Sequence, residues 1–205
     1  ARPNNTVLIL ILVERMRVYR AASLVLFGAS LANSKCVGNC KNGRGSVTWA
    51  DGSSYEGEWQ RGAMEGRGLW THPDGDKFEG QWKSSKYHGR GVLTWPSGEI
   101  YDGEFEDGQL HGEGIKTAAD GFKYEGQFEG GQMQGRGVKT LPDGTVWYDG
   151  QLIRGGKPHG RGVMTDSQGK YDGNWDRGVK RGHGVLVSAD GGLRYDGQWL
   201  DNRRH

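Results

Sequence analysis

Paired glycines recur seven times in this chain, at 43/45, 66/68, 89/91, 112/114, 135/137, 160/162 and 182/184, and this spacing lets backbone amides close around a phosphate. None of the pairs leads into a helical stretch or into Gly-Lys-Ser/Thr, so no phosphate loop is read from them. The residue inside the pair offers different chemistry. Arg44, Arg67, Arg90, Arg136 and Arg161 hold that place, with Glu113 and His183 breaking the series, and a row of guanidiniums is a candidate site for anionic headgroups. Beside it runs an acidic column of Glu56, Glu79, Asp102, Glu125, Asp149, Asp172 and Asp196. The plain reading of the two columns is a set of cross-strand ion pairs worth well under about 1 kcal/mol each, which fix register and solubility. No nucleophile stands with a base and no carboxylate pair suits a cleft, so no catalytic residue, metal ligand or cofactor is assigned.

A repeat must position these residues. Tyr55, Gly57 and Trp59 recur as Phe78, Gly80 and Trp82, as Tyr101, Gly103 and Phe105, and as Tyr124, Gly126 and Phe128. They return as Tyr148, Gly150 and Leu152, as Tyr171, Gly173 and Trp175, and as Tyr195, Gly197 and Trp199, with starts 23 or 24 residues apart. The aromatic-x-Gly-x-aromatic alternation has the two-residue period of a strand. The Gly-x-Gly segment supplies a second strand, and corners such as Pro73-Asp74-Gly75 start the next unit. The expected fold is therefore all-β: an elongated single-layer antiparallel sheet of about seven stacked hairpins. At about 4.8 Å per strand, each hairpin adds roughly 9–10 Å and the array reaches about 60 Å. His88, His111 and His159, on equivalent hairpin positions, then stand too far apart to share a zinc ion, which needs nitrogen at about 2.0–2.1 Å; they read as turn or packing residues.

Composition agrees with this reading. Helices tolerate glycine poorly, and 38 glycines in 205 residues leave little room for them. The glycines lack the every-third spacing of collagen, and the aromatic content argues against a disordered linker. In the sheet, positions without Cβ leave flat ground over which neighbouring Tyr and Trp rings can lie, a thin core with a half-exposed aromatic face.

The pattern Tyr-x-Gly-x-Trp, a Gly-bearing turn, His-Gly-x-Gly and a glycine before the next aromatic resembles the MORN (membrane occupation and recognition nexus) repeat over about residues 43–199. Departures fall in the second half: Leu152 replaces the second aromatic, one extra residue precedes Tyr148 and Tyr195, and one is missing before Tyr171. Those units are expected to bulge or bend. The resemblance implies a scaffold, a dimerisation surface or a membrane-apposed module.

The N-terminal region reads differently. Arg17 and Arg20 precede the apolar run Ala21 to Leu31, and Ala32 and Ser34 are small residues at cleavage spacing, so 16–34 is expected to be a signal peptide cut after Ser34. Residues 1–15 read as an upstream segment. The expected location is secreted or cell-envelope, with membrane association through an uncleaved leader as the alternative. Residues 35–42 form a cap with Cys36 and Cys40, and 43–205 the array. Val-Gly-Asn between the cysteines suits a turn that allows a disulfide, whereas a continuous strand would set them about 13 Å apart; the bridge is favoured. Removing the four arginines and one glutamate of 1–34 leaves 23 basic and 24 acidic side chains, so no nucleic-acid partner is expected. The expected partners are another protein or a second copy, the alternative being acidic phospholipid or, through exposed Trp and Tyr, carbohydrate.

Overall fold

The computed structural model describes residues 35–205; the signal peptide read over 16–34 and the segment 1–15 lie outside them. Short β1 (Lys35–Gly38) pairs with β2 (Asn42–Thr48), and hairpins follow: β3 (Ser54–Gln60) with β4 (Ala63–Thr71), β5 (Lys77–Lys83) with β6 (Lys86–Thr94), and β7 (Ile100–Glu106) with β8 (Gln109–Thr117). Next come β9 (Lys123–Glu129) with β10 (Gln132–Thr140), β11 (Val146–Ile153) with β12 (Lys157–Asp166), β13 (Gly169–Asp176) with β14 (Val179–Ser188), and β15 (Arg194–Leu200) with β16 (Arg203–Arg204). All lie in one antiparallel sheet whose strand order follows the sequence, so each hairpin touches its sequence neighbours and the sheet stays open and extended.

Turn chemistry accounts for the hairpins. At tips such as Arg61-Gly62 and Asp107-Gly108 both residues have positive φ, the two-residue geometry whose twist matches the strands. Each tip is also tied to the hairpin before it, as where the Gly108 amide donates to the Tyr87 carbonyl at 2.9 Å. Between hairpins the chain turns through segments such as Pro73-Asp74-Gly75, where the Gly75 amide donates to the His72 carbonyl at 2.9 Å.

The central glycines are register partners from strand to strand. Gly45, Gly57, Gly68, Gly80, Gly91, Gly103, Gly114 and Gly126 face one another in series, continued by Gly137, Gly150, Gly162, Gly173, Gly184 and Gly197. This seam is the flat ground expected from the sequence. A Cβ on Gly103 would stand 2.5 Å from the Tyr101 hydroxyl and 2.6 Å from the Gly114 backbone. The first aromatic of each unit lies across its own glycine and that of the next strand. Where it is Tyr, its hydroxyl donates to the carbonyl three residues on, at 3.0 Å from Tyr55 to Glu58 and 2.9 Å from Tyr101 to Glu104. The indoles of Trp59 and Trp82 donate to Gly45 and Gly68 across the strand pair, at 3.0 and 3.1 Å.

Edge-to-face contacts join these rings in a ladder: Tyr55 meets both Trp59 and Trp82 at 5.1 Å, and Tyr101 meets Phe105 at 5.1 Å and Phe128 at 4.9 Å. The aromatic face is sealed, contrary to the half-exposed face expected. Tyr55, Phe78, Tyr101 and Tyr124 have no exposure at all, because flanking side chains from both halves of the bent strands, among them Met64, Tyr87 and Leu93, close over them.

Two further expectations need correction. Only the second glycine of each Gly-x-Gly lies flat; the first has positive φ, as at Gly66 and Gly89, and marks a register shift within the hairpin. Strand and disulfide also coexist at the N-terminus. The strand ends at Gly38, whose φ of 88° turns the chain so that Cys36 and Cys40 are bridged with Cα atoms 6.4 Å apart. The expected irregularity of the second half is present, as an added register shift between Lys139 and Thr140 before Tyr148.

Candidate functional site

With the rings turned inward, chemistry is left to the opposite face. Strand alternation places two columns there on either side of the glycine seam. One runs Arg44, Glu58, then Arg67, Gln81, Arg90, Glu104; the other runs Ser46, Glu56, Leu69, Glu79, Val92, Asp102, alternating aliphatic and acidic residues. Between them at the N-terminal end lies a groove of about 760 Å³. Gly45, Gly57, Gly68 and Gly80 form its floor, Arg44, Arg67, Arg90 and Gln81 one wall, and Glu56, Leu69 and Glu79 the other, with Val37 closing one end. The floor is bare backbone because the seam positions direct their Cβ side toward the rings on the other face, leaving only the two flanking columns to rise as walls.

The structure confirms the face of the arginine column but alters its pairing. Arg136 meets Asp149 at 3.8 Å and Arg161 meets Asp172 at 4.0 Å, the expected links between the two columns. Arg90 instead meets Glu104 on its own side of the seam at 3.8 Å. Glu79 and Glu125 are taken by Lys77 and Lys123 two residues before them, at 3.3 and 2.9 Å. Among the described residues Arg44 and Arg67 enter no ion pair. The histidines do not converge: His111 faces Glu106 within its own hairpin at 3.4 Å, and His159 faces Asp176 of the next hairpin at 3.5 Å. No group of three His, Cys, Asp or Glu side chains suited to a metal is found among the described residues.

Sequence reasoning passed over two sets of residues. In three units the side chain three places after the first aromatic braces the bulge: Gln81 accepts the Arg90 amide at 3.0 Å, Gln127 the Arg136 amide at 3.1 Å, and Glu58 the Arg67 amide at 3.3 Å, whereas Asn174 donates to the His183 carbonyl at 3.2 Å. Its signal was the recurrence of Glu or Gln there. The second set is the lysines on the aromatic side. Lys116 pairs with Glu99 at 3.4 Å above Trp95, and the Lys180 ammonium lies 4.8 Å from the Tyr171 ring centre and 5.2 Å from that of Trp199. Lys139 is 3% exposed, with its ammonium donating to the Gly156 carbonyl beside Trp147. Burial pulls its pKa down to about 8. Its ammonium reaches the tip of the next hairpin, the unit in which Leu152 interrupts the edge-to-face series. The signal for Lys116 and Lys139 was a lysine in a column otherwise holding Trp70, Leu93, Met164 and Leu186.

No curated protein was found to match the chain. The family model of the MORN repeat matches in eight successive segments, 39–54, 55–77, 78–100, 101–122, 124–146, 148–170, 171–193 and 195–205. From 55 onward each segment begins at the first aromatic of a unit, so the unit that the family model recognises is the one that the seam, the ladder and the hairpin ties build. With nearly every described residue inside such a unit, the chain belongs to the MORN repeat family.

Proposed function

We propose that the protein is a non-catalytic scaffold that mediates protein–protein association through the outer face of its array. MORN repeats fit a scaffold that engages proteins or membranes. The observation that carries the protein reading is the groove on the glycine seam: open along its length, walled by Arg44, Arg67 and Arg90 on one side and by Glu56, Leu69 and Glu79 on the other. Walls of both signs with an aliphatic step between them complement an extended polypeptide segment of mixed charge better than a uniformly anionic surface. Capture from the native compartment on immobilised chain tests this. A partner retained by the natural chain and lost when Arg67→Glu and Glu79→Lys reverse the two walls is expected; equal capture by both sinks the groove as the site.

One observation favours a second reading, a peripheral module for acidic phospholipid: Arg44 and Arg67 have no acidic partner among the described residues. Salt-sensitive sedimentation with phosphatidylserine vesicles, lost on Arg44→Gln with Arg67→Gln, would establish it in place of the first. Carbohydrate stacking would fall to the partly exposed Trp49, Trp70 and Trp95, since most rings of the repeat motif are buried.

The Cys36–Cys40 bridge supports a working location that is oxidising and extracytoplasmic, reached by cleavage after Ser34. N-terminal sequencing and thiol counting on native protein check both; an intact leader with two free thiols would contradict the proposal.

A further inference from the structure

The two long rims of the sheet differ in charge. Tips within hairpins lie along one rim and turns between hairpins along the other, because an antiparallel meander reverses direction alternately. The turn rim carries Asp51, Asp74, Asp120, Asp143 and Asp190, all exposed and each directly before a glycine. The turns themselves hold no Lys or Arg; Lys77, Lys123 and Arg194, which open the strands after them, are paired with Glu79, Glu125 and Asp196, and Lys170 stands beside the shortest turn. The tip rim carries exposed Lys41, Arg61, Lys83, Arg154, Arg177 and Arg203, interrupted in mid-array by Glu106, Asp107 and Glu129 and at the last tip by Asp201. Hydrogen bonds from Ser53, Thr145 and Ser188 hold the carboxyls of Asp51, Asp143 and Asp190 below the usual carboxylate range.

We propose that these rims are a lateral docking surface for a second copy of the chain, the basic tip rim of one array lying along the acidic turn rim of the next. This deepens the scaffold reading and rests on it. A second copy is the fitting occupant because both rims are written by one repeat. Each advances roughly 9–10 Å per hairpin, so opposite charges on parallel arrays meet in step on both sides of the acidic mid-array tips. Strands of seven to ten residues hold the rims about 20 Å or more apart, beyond the screening length of about 8 Å at physiological salt, so each copy presents both at once. Tip against tip and turn against turn repel. The contact is thus heterologous and builds an open ribbon, not a closed dimer. Single exposed pairs are weak, but many in register act together and yield to salt.

Sedimentation velocity on the 205-residue chain tests the proposal. Mass that rises with concentration in about 20 mM salt and returns to monomer in about 0.5 M is expected. One variant neutralises the turn rim (Asp51→Asn, Asp74→Asn, Asp120→Asn, Asp143→Asn, Asp190→Asn), Asn preserving the turn. Another neutralises the tip rim (Arg61→Asn, Lys83→Gln, Arg154→Gln, Arg177→Asn, Arg203→Gln). Circular dichroism confirms that each folds as the natural chain does. Each alone should be monomeric, and a mixture should stop at a one-to-one pair, because each retains the rim the other lacks. Monomer at low salt, assembly indifferent to salt, or self-assembly of either variant overturns the proposal. A monomeric natural chain that still captures a different protein overturns lateral pairing alone and leaves the scaffold function standing.

Discussion

Glycine 103 shows what a single residue does here. Its backbone is ordinary strand, so its need for glycine is steric: a Cβ would meet the Tyr101 ring from below and the Gly114 backbone from the side. Gly103→Val is expected to cost about 3 kcal/mol, the upper end of ordinary overpacking. Arg90→Ala, removing an exposed pair 3.8 Å long, should cost under about 0.5 kcal/mol; urea unfolding of both variants measures the contrast. Lys139 adds a pH dependence of known sign. Below about pH 8 its ammonium is charged in folded and unfolded chains alike; above that the folded protein loses the proton first, the unfolded side chain titrating at 10.5. Stability should therefore climb between about pH 8 and 9, by roughly 1 kcal/mol, before unfolded phenols ionise appreciably. Burial pushes the folded Tyr101, Tyr124 and Tyr148 well above the usual phenol range, so at higher pH ionisation of the unfolded phenols turns the trend downward. Lys139→Met should show less of the climb than the natural chain, keeping only what Lys180, whose pKa burial also lowers, contributes, as followed by thermal melts across pH.

At the scale of the hairpin, the bulge is the working part. Positive φ at the first glycine bends the second strand and turns its next amide out of the ladder, and Glu58, Gln81 or Gln127 accepts that amide in place of a strand partner. Gln81→Ala should then cost about 0.5–1.5 kcal/mol through a lost hydrogen bond, while Gln81→Glu keeps the acceptor and should cost less. Faster hydrogen exchange at the Arg90 amide in the alanine variant alone would identify the cause. Variation in the second half is absorbed at hairpin ends. The tip at Arg154–Gly156 holds three residues, and the following turn shortens to Ser167-Gln168, so the glycine seam passes through Gly150, Gly162 and Gly173 without a break.

Across the whole molecule, each hairpin packs only on its neighbours, so stability is a sum of units and interfaces. Loosening caused by Gly103→Val should appear by hydrogen exchange in β6 to β9 before it reaches β2 or β14. Uniform loosening from end to end would instead mean a single cooperative core. Small-angle scattering should give an elongated particle, and a compact sphere would contradict the stacked sheet. Charge also acts at this scale: opposite rims and a groove of mixed walls coexist with a body of nearly zero net charge, because the repeat sorts like charges to like places.

The sequence by itself determined the hairpin unit, its 23- or 24-residue period, the turn positions and the face on which each column stands. These follow from alternation and turn chemistry, which are local along the chain. Tertiary structure alone decided which glycine of each pair lies flat and which bends. Local spacing makes Gly66 and Gly68 equivalent, and only the strand across from them, in register at Gly57 and shifted at Glu58, separates the two. It decided that the rings are sealed, since the covering side chains come from other strands, and that Arg90 meets Glu104 while Arg136 meets Asp149. It also drew Lys139 into the core, because the Gly156 carbonyl that accepts its hydrogen bond belongs to the next hairpin and comes within reach only once the two are side by side.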